Sequence, residues 1–405
     1  VMYETLPPSL CFPLFPKFDY RMKIRIILLI FIGLCLSCSE GDRLYENLKV
    51  VIGYDEEPLV NGQNIEVDSF RIVPLETTSG SVLSRIDRLL VSDSLIFIHD
   101  NDRLLCFDYS GKFLYPIGVK GRGAGEYLRI STIFINPFLH TINIVDEVLD
   151  KVLTYRLDGT YLYMKKYPSR SFYMAHTAYL ADNDKLLCNN YIYNNFNQTY
   201  SMINIETGIS QFLCRSSLHT KNTAMPTGQE TVAFNNDTIK MLLPFDNKLY
   251  TCTDSSLIPI ISIRMDKKIL SEKRLNAETD FSIMTYFNVS EEGYFAGFKS
   301  ICETRDYILL NEAGENQYFL VDKRKNAGRR YFYNDAGEQK YLPLLGICTT
   351  DGDYLVGTVP NFVLKNFVKQ IPESVSGQEL NKLREVGFAI QEEDNPCIFF
   401  YKLRS

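Results

Sequence analysis

The chain has 405 residues, a formal net charge of −6, and 26 Tyr and 26 Phe against no Trp. That aromatic content fits a β-rich core, and the mild acidity, without any block of like charge, argues against general nucleic-acid binding. The seven cysteines that follow Cys38 contain no CxxC pair and are odd in number, so neither a zinc site nor a full disulfide framework is indicated; most sit in apolar runs such as LLCF and PCIFF and are expected to be small buried hydrophobes.

Residues 1–21 hold scattered aromatics and no convincing period, and they precede Met22. From Met22 the chain reads MKIRIILLIFIGLCLSC: two basic residues, an apolar run from Ile26 to Leu36, then Ser37 and Cys38. This is the anatomy of a signal peptide, and the run falls short of the roughly 20 apolar residues a spanning helix needs. The expectation is that 1–21 is a misassigned upstream extension and 22–37 the signal. Cys38 resembles the cleavage and lipidation site of bacterial lipoproteins, although Cys35 stands where an aliphatic residue is usual. Without residues 1–37, which carry four basic and two acidic side chains, the net charge becomes −8. Residues 38–65 are polar and read as a lipidated tether, leaving 66–405 for the folded domain.

The first clear strand is Phe70–Leu75. Between Leu89 and Lys166 one unit then occurs twice: LIFIHD-NDR-LLCFD-YSG-KFLYPIG, then TINIVD-EVLDK-VLTYR-LDG-TYLYMKK. Strands are predicted at about 86–91, 95–99, 104–108 and 113–117, and again at about 130–135, 141–145, 152–156 and 161–165. Gly111 and Gly159 are 48 residues apart, as are Phe113 and Tyr161. Four short antiparallel strands in a period of roughly 40–50 residues are the signature of a propeller blade. The Ser110-Gly111 and Asp158-Gly159 pairs supply the positive φ that tight hairpins require.

Later copies are more worn. A third ends at Tyr200–Gly208, a fourth covers DNKLYTCTDSSLIPIISI, a fifth DYILLNEAGENQYFLVD, and a sixth begins near Leu344 and turns at Thr350–Asp353. An insertion around 265–295 contains the helix-like LSEKRLNAET. Residues 361–391 have the spacing of two short amphipathic helices separated by Pro372. The chain then returns to a strand at PCIFFYKL, so the sixth copy lacks one strand of its own. The strand near 69–75 can supply it and close the ring, hiding two sheet edges. The predicted fold is therefore all-β: a six-bladed β-propeller of four-stranded antiparallel blades, closed by the N- and C-terminal strands, with a helical insertion in the last blade.

The stretches Val73–Thr77, Phe107–Leu114, Gly121–Tyr127 and Glu393–Pro396 resemble the Bacteroidetes family of six-bladed β-propeller lipoproteins, related to NHL-repeat propellers. Ala124 stands where that family usually has proline. The resemblance implies the same propeller on an exported lipoprotein, and Ser39-Glu40-Gly41-Asp42 resembles the surface-export signal of such proteins. It fixes architecture more than activity and names no cofactor.

Candidate sites are sparse. The GRGAGEY stretch offers backbone N–H groups, yet it lacks the GxGxxG spacing and a following helix, and it reads as a joint between blades with Tyr127 packed inside. Arg122 and Glu126 there either pair locally or face the ring's funnel. The loop Asn189–Gln198 carries Tyr191, Tyr193 and Phe196, flat faces suited to stacking sugars or peptides. Asp100 and Asp146 hold equivalent strand ends, where they either cap turns or converge near a rim. The four histidines form no HxH or HExxH pattern, and no GxSxG serine occurs, so no catalytic or metal-ligating set is named. The expected function is a lipid-anchored binding or scaffold module of the cell envelope, at the outer membrane, for a glycan, peptide or protein ligand. The runner-up is a metal-dependent propeller hydrolase or lyase.

Overall fold

Short runs of β-branched and aromatic residues satisfy their backbone N–H and C=O groups only by pairing with neighbours. The computed structural model describes residues 49–52, 67–169, 171–172, 175–182, 184–190, 200–213, 231–235, 238–243, 245–253, 257–265, 267–271, 283–313, 317–332, 346–371 and 377–404. In it the predicted runs pair into six antiparallel four-stranded blades around a ring, with strands A to D ordered outward from a central channel. Blade 1 is Arg88–Ser92, Leu95–Asp100, Arg103–Asp108 and Phe113–Pro116; blade 2 is Thr132–Asn136, Thr141–Asp146, Lys151–Arg156 and Tyr161–Lys166. Blade 3 is Ala175–Asp182, Lys185–Asn190, Tyr200–Asn204 and Ser210–Phe212, and blade 4 is Val232–Asn235, Thr238–Leu242, Lys248–Cys252 and Leu257–Arg264. Blade 5 is Phe298–Glu303, Tyr307–Glu312, Gln317–Asp322 and Ala327–Phe332.

Blade 6 closes the ring as the sequence suggests. Its strands A to C are Ile347–Asp351, Tyr354–Val359 and Cys397–Leu403, and its outer strand is Val67–Pro74 from the other end of the chain, paired from Val67 opposite Leu403 to Pro74 opposite Cys397. One strand was not foreseen. Lys49–Ile52, inside the stretch read as a tether, runs parallel to strand D of blade 4 and reaches blade 5 through Ile52 opposite Ala327, joining both blades into a nine-stranded sheet.

Three helices are described: α1 (Ile283–Glu291), α2 (Asn361–Gln370) and α3 (Gln378–Ala389). The helix expected over LSEKRLNAET falls almost entirely outside the described residues, and α1 follows it. The two helices expected near the C-terminus are α2 and α3, inserted between strands B and C of blade 6. They bury Leu364, Phe367, Leu380 and Leu383 against Phe399 and Tyr401, and each fully buried side chain of this size contributes about 1.5–3 kcal/mol. A Cβ on Gly387 of α3 would lie 2.5 Å from Val368 of α2, so the two helices touch where only glycine fits.

Strand reversal sorts the connections. Along the channel, A–B turns fall at one end, while B–C loops and the links arriving from the preceding blade fall at the other. The A–B turns are short: Asp93 and Ser94 alone join strands A and B of blade 1, both at positive φ (50° and 61°), as a right-twisted hairpin requires. The opposite end receives α1, α2, α3 and the long inter-blade links. Carboxylates and amides pin those links there. Asp100 accepts from the backbone N–H of Ser84 and Arg85 and the Ser84 hydroxyl, and Asp146 accepts from Leu128, Val148 and Leu149. Asn395 donates to the Glu76 and Ser81 carbonyls and accepts from Leu83. Asp100 and Asp146 thus cap turns and links.

Candidate functional site

The six A strands enclose a cavity of about 290 Å³ to which every blade contributes. Its walls come mostly from the later halves of those strands: Ser92, Ile135, Leu180, Phe234, Glu303 and Thr350. The cavity therefore lies toward the A–B turn end. Consecutive residues of one strand line it, as Leu90, Val91 and Ser92 or Ala178, Tyr179 and Leu180 do, because each A strand is an edge strand of its sheet and turns that edge to the channel. Phe234 lines it while 45% exposed, and Phe138 and Leu139, in the A–B turn of blade 2 just after the lining Pro137, are 64% and 63% exposed. The same turns also carry charged pairs, Asp93 with His140 between blades 1 and 2 and Arg305 with Asp353 between blades 5 and 6, so the mouth mixes apolar and charged groups.

Two charged groups stand in this apolar wall. Arg88, the first residue of its A strand, is 5% exposed. Its Nη1 donates to the Thr132 hydroxyl (3.2 Å) and the Ile133 carbonyl of blade 2, and to the Ala178 carbonyl of blade 3 (3.0 Å). The guanidinium carbon lies 4.7 Å from the Tyr179 ring centroid. One side chain of blade 1 thus ties down two other blades and forms the floor of the cavity. On the opposite wall Glu303 is held by Lys240 of blade 4 and Lys323 of blade 5, each at 2.8 Å.

Among the described residues no three His, Cys, Asp or Glu side chains come together as metal ligands. The carboxylate that lines the cavity is Glu303, already shared by two ammonium groups. Buried thiols on the strands behind the cavity wall are not activated either: burial pushes Cys188 up to about 12 and Cys397 up to about 12, and Cys106 up to about 11. These thiols stay protonated near neutral pH and serve as small apolar side chains.

The residues singled out from sequence are placed elsewhere. In the GRGAGEY joint, Val119–Lys120 and Glu126–Tyr127 pair in parallel, and Tyr127 is buried between blades 1 and 2. The Glu126 carboxylate accepts from the Gly123 amide at 2.7 Å, and a Cβ on Gly121 would lie 2.1 Å from it. Glu126 is thus turned onto its own loop, while Arg122 is exposed; the two are not paired among the described contacts, and neither lines the cavity. Tyr191, Tyr193, Phe196 and Cys38 lie outside the described residues. Arg88 was missed. Laying blade 2 over blade 1 places it opposite Thr132, and a charge at an inward A-strand position was the available signal.

A family profile described as "Domain of unknown function (DUF4934)" matches residues 46–402. The chain belongs to this family. Its fold is similar to that of a Bacteroides fragilis NCTC 9343 protein described as exported, with a TM-score of 0.68 and 20% identity over 88% of this chain and 100% of that one. A member of the DUF4221 family from Bacteroides vulgatus ATCC 8482 is similar at a TM-score of 0.51 and 8% identity, covering 85% of this chain and 100% of that one. No curated protein matches the chain in sequence. At these identities the two structures bear on the fold of the DUF4934 chain alone.

Proposed function

We propose that this DUF4934 protein is an exported binding module, anchored at the outer membrane through a lipid on Cys38, that takes a small extracytoplasmic ligand into its central channel. The observation that carries the reading is the cavity: all six blades build it, its wall is mainly apolar with a few placed polar groups, and it opens at one end. That is the common character of ligand pockets. Export is supported by the Met22–Cys38 stretch and by the described export of the Bacteroides fragilis relative; the anchor and the NHL-type ancestry rest on the sequence resemblance. A larger glycan, peptide or protein partner would meet the other end, where Asn190 and Tyr200 flank the loop holding Tyr191, Tyr193 and Phe196, and where the joint carries Arg122 and Glu126.

The channel is tested with Thr350→Trp, which adds bulk at a half-buried lining position. Ligand-observed NMR of the parent and the variant against a panel of small amphiphiles, oligosaccharides and peptides should give hits that the variant loses. Hits retained equally by both would remove the channel from consideration. For the anchor, labelled palmitate should enter the parent and not Cys38→Ala; undiminished labelling of the variant would refute lipidation there.

A further inference from the structure

We infer that the channel selects an uncharged small molecule, an apolar body whose one neutral polar group sits at Ser92, Thr349 and Thr350. This names a ligand class for the channel reading and rests on it. The charged groups of the wall are already engaged. Arg88 spends its Nη1 on the Thr132 hydroxyl and the Ile133 and Ala178 carbonyls. Glu303 is held by Lys240 and Lys323, and Lys323 also donates to the Thr304 carbonyl at 2.8 Å. On the A–B turns at the open end, Asp93 is paired with His140 and Asp353 with Arg305, each at 2.8 Å. Among the described residues no carboxylate of those turns lines the cavity. An ion of either sign would leave water and find the counter-charges committed to other groups, and burying a charge on those terms is costly.

What the wall leaves open is neutral. Ser92 ends strand A of blade 1, and Thr349 and Thr350 sit in strand A of the neighbouring blade 6. All three line the cavity and are half-buried. Among the described residues none of their hydroxyls hydrogen-bonds another group of the protein. A hydroxyl both donates and accepts, so this corner matches a carbonyl, hydroxyl or amide on the ligand. The rest of the space is hydrocarbon: Leu90, Phe134, Ile135, Leu180, Val232 and Ile301 line it. A sugar would leave most of its hydroxyls facing those side chains without partners. The cavity volume of about 290 Å³ lies at the small end of ligand pockets and suits a body of about a dozen carbon atoms or fewer.

The test uses the full chain labelled at isoleucine and threonine methyls, with octan-2-one, octanoate and octylamine as probes of matched length. It is run at about pH 7, where the acid and the amine are ionised. Ile135 and Ile301 line the cavity and report occupancy directly. Octan-2-one should shift both methyls and bind at least about tenfold more tightly than either ion, the difference an uncompensated charge imposes. Nuclear Overhauser contacts from its C1 methyl, beside the carbonyl, should reach the Thr349 and Thr350 methyls, and those from C8 should not. Ser92→Ala combined with Thr350→Val should weaken octan-2-one about three- to tenfold. The parent chain alone decides the charge preference and the pose, so misfolding of the variant does not spoil the test. Equal binding of the three probes at the isoleucine methyls, or preference for either ion, would overturn the inference while leaving the channel as a site. Contacts from C8 instead of C1 at the threonines, or undiminished binding by the folded variant, would overturn the placement of the polar group. Probe binding that shifts neither isoleucine methyl, or no binding of any probe, would overturn both the inference and the channel.

Discussion

The two ends of the channel are built by different rules. At one end, tight A–B turns of two or a few residues cap the strands; at the other, helices α1, α2 and α3 and the inter-blade links accumulate, held by Asp100, Asp146 and Asn395. The conspicuous sequence lies at the second end, including the GRGAGEY joint and the strand ends flanking the tyrosine-rich loop. The cavity opens at the first. Regular strand residues, each unremarkable in its own run, become a site because six of them converge; the conspicuous stretches at the other end chiefly hold the blades together.

The sharpest way to break this contrast is to cut a pin at the elaborated end. Asn395 is 2% exposed and its side chain serves three backbone groups across the ring closure. Asn395→Ala should therefore cost about 2–4 kcal/mol, seen as a lower urea midpoint, while the channel's panel hits persist in the folded fraction. A loss below about half a kcal/mol would show that the pin does little. Turn glycines give the next effect. Gly111 has φ +93° and a Cβ there would lie 2.1 Å from the Pro74 carbonyl oxygen of blade 6, whereas Gly352 has φ +59° with nothing within 4 Å. Gly111→Ala should cost more than about 2 kcal/mol and Gly352→Ala about 1 kcal/mol; equal losses in thermal unfolding would deny that the first turn packs on its neighbour.

Acid should weaken the elaborated end in two steps. Burial pushes His99 below the usual imidazole range, against the hydrogen bond it makes to the Asn101 carbonyl. The folded chain thus resists protonating it while the unfolded chain takes up a proton near pH 6.5, so stability is full above about pH 6.5 and declines below it. For Asp100, burial pushes the carboxyl up, and hydrogen bonds from Ser84, Arg103 and the Arg85 amide together outweigh that and leave it below its ordinary value. Its contribution is present above about pH 3.9 and is lost as pH falls through the depressed value. Urea midpoints measured from pH 8 to pH 4 should fall below pH 6.5, and His99→Gln should flatten that first limb. The smallest effect on stability belongs to the channel mouth. Phe138→Ser and Leu139→Ser remove side chains more than half exposed and should change stability by less than about 0.5 kcal/mol, while weakening the channel's panel hits measurably by calorimetry.

These predictions also mark what the sequence could reveal. The ring was legible because blades repeat: turn glycines 111, 159 and 208 recur at near-constant spacing, and each has a positive φ and sits against the preceding blade's outer strand or the residues just after it. Closure was legible because blade 6 lacked one strand and Phe70–Leu75 had no partner. The strand Lys49–Ile52 was not, since a four-residue run gains its identity only from partners more than 200 residues away. The cavity was illegible for the same reason. Arg88 reads as an ordinary strand residue until the ring brings Ile133 and Ala178 to it.

The channel is tested most directly by a crystal structure of the full chain with a hit from the ligand panel bound. Density between the A strands, beside Ile135 and Phe234, is the predicted result. Density at the opposite end, against Arg122, Glu126 or the 191–198 loop with the channel empty, would contradict it.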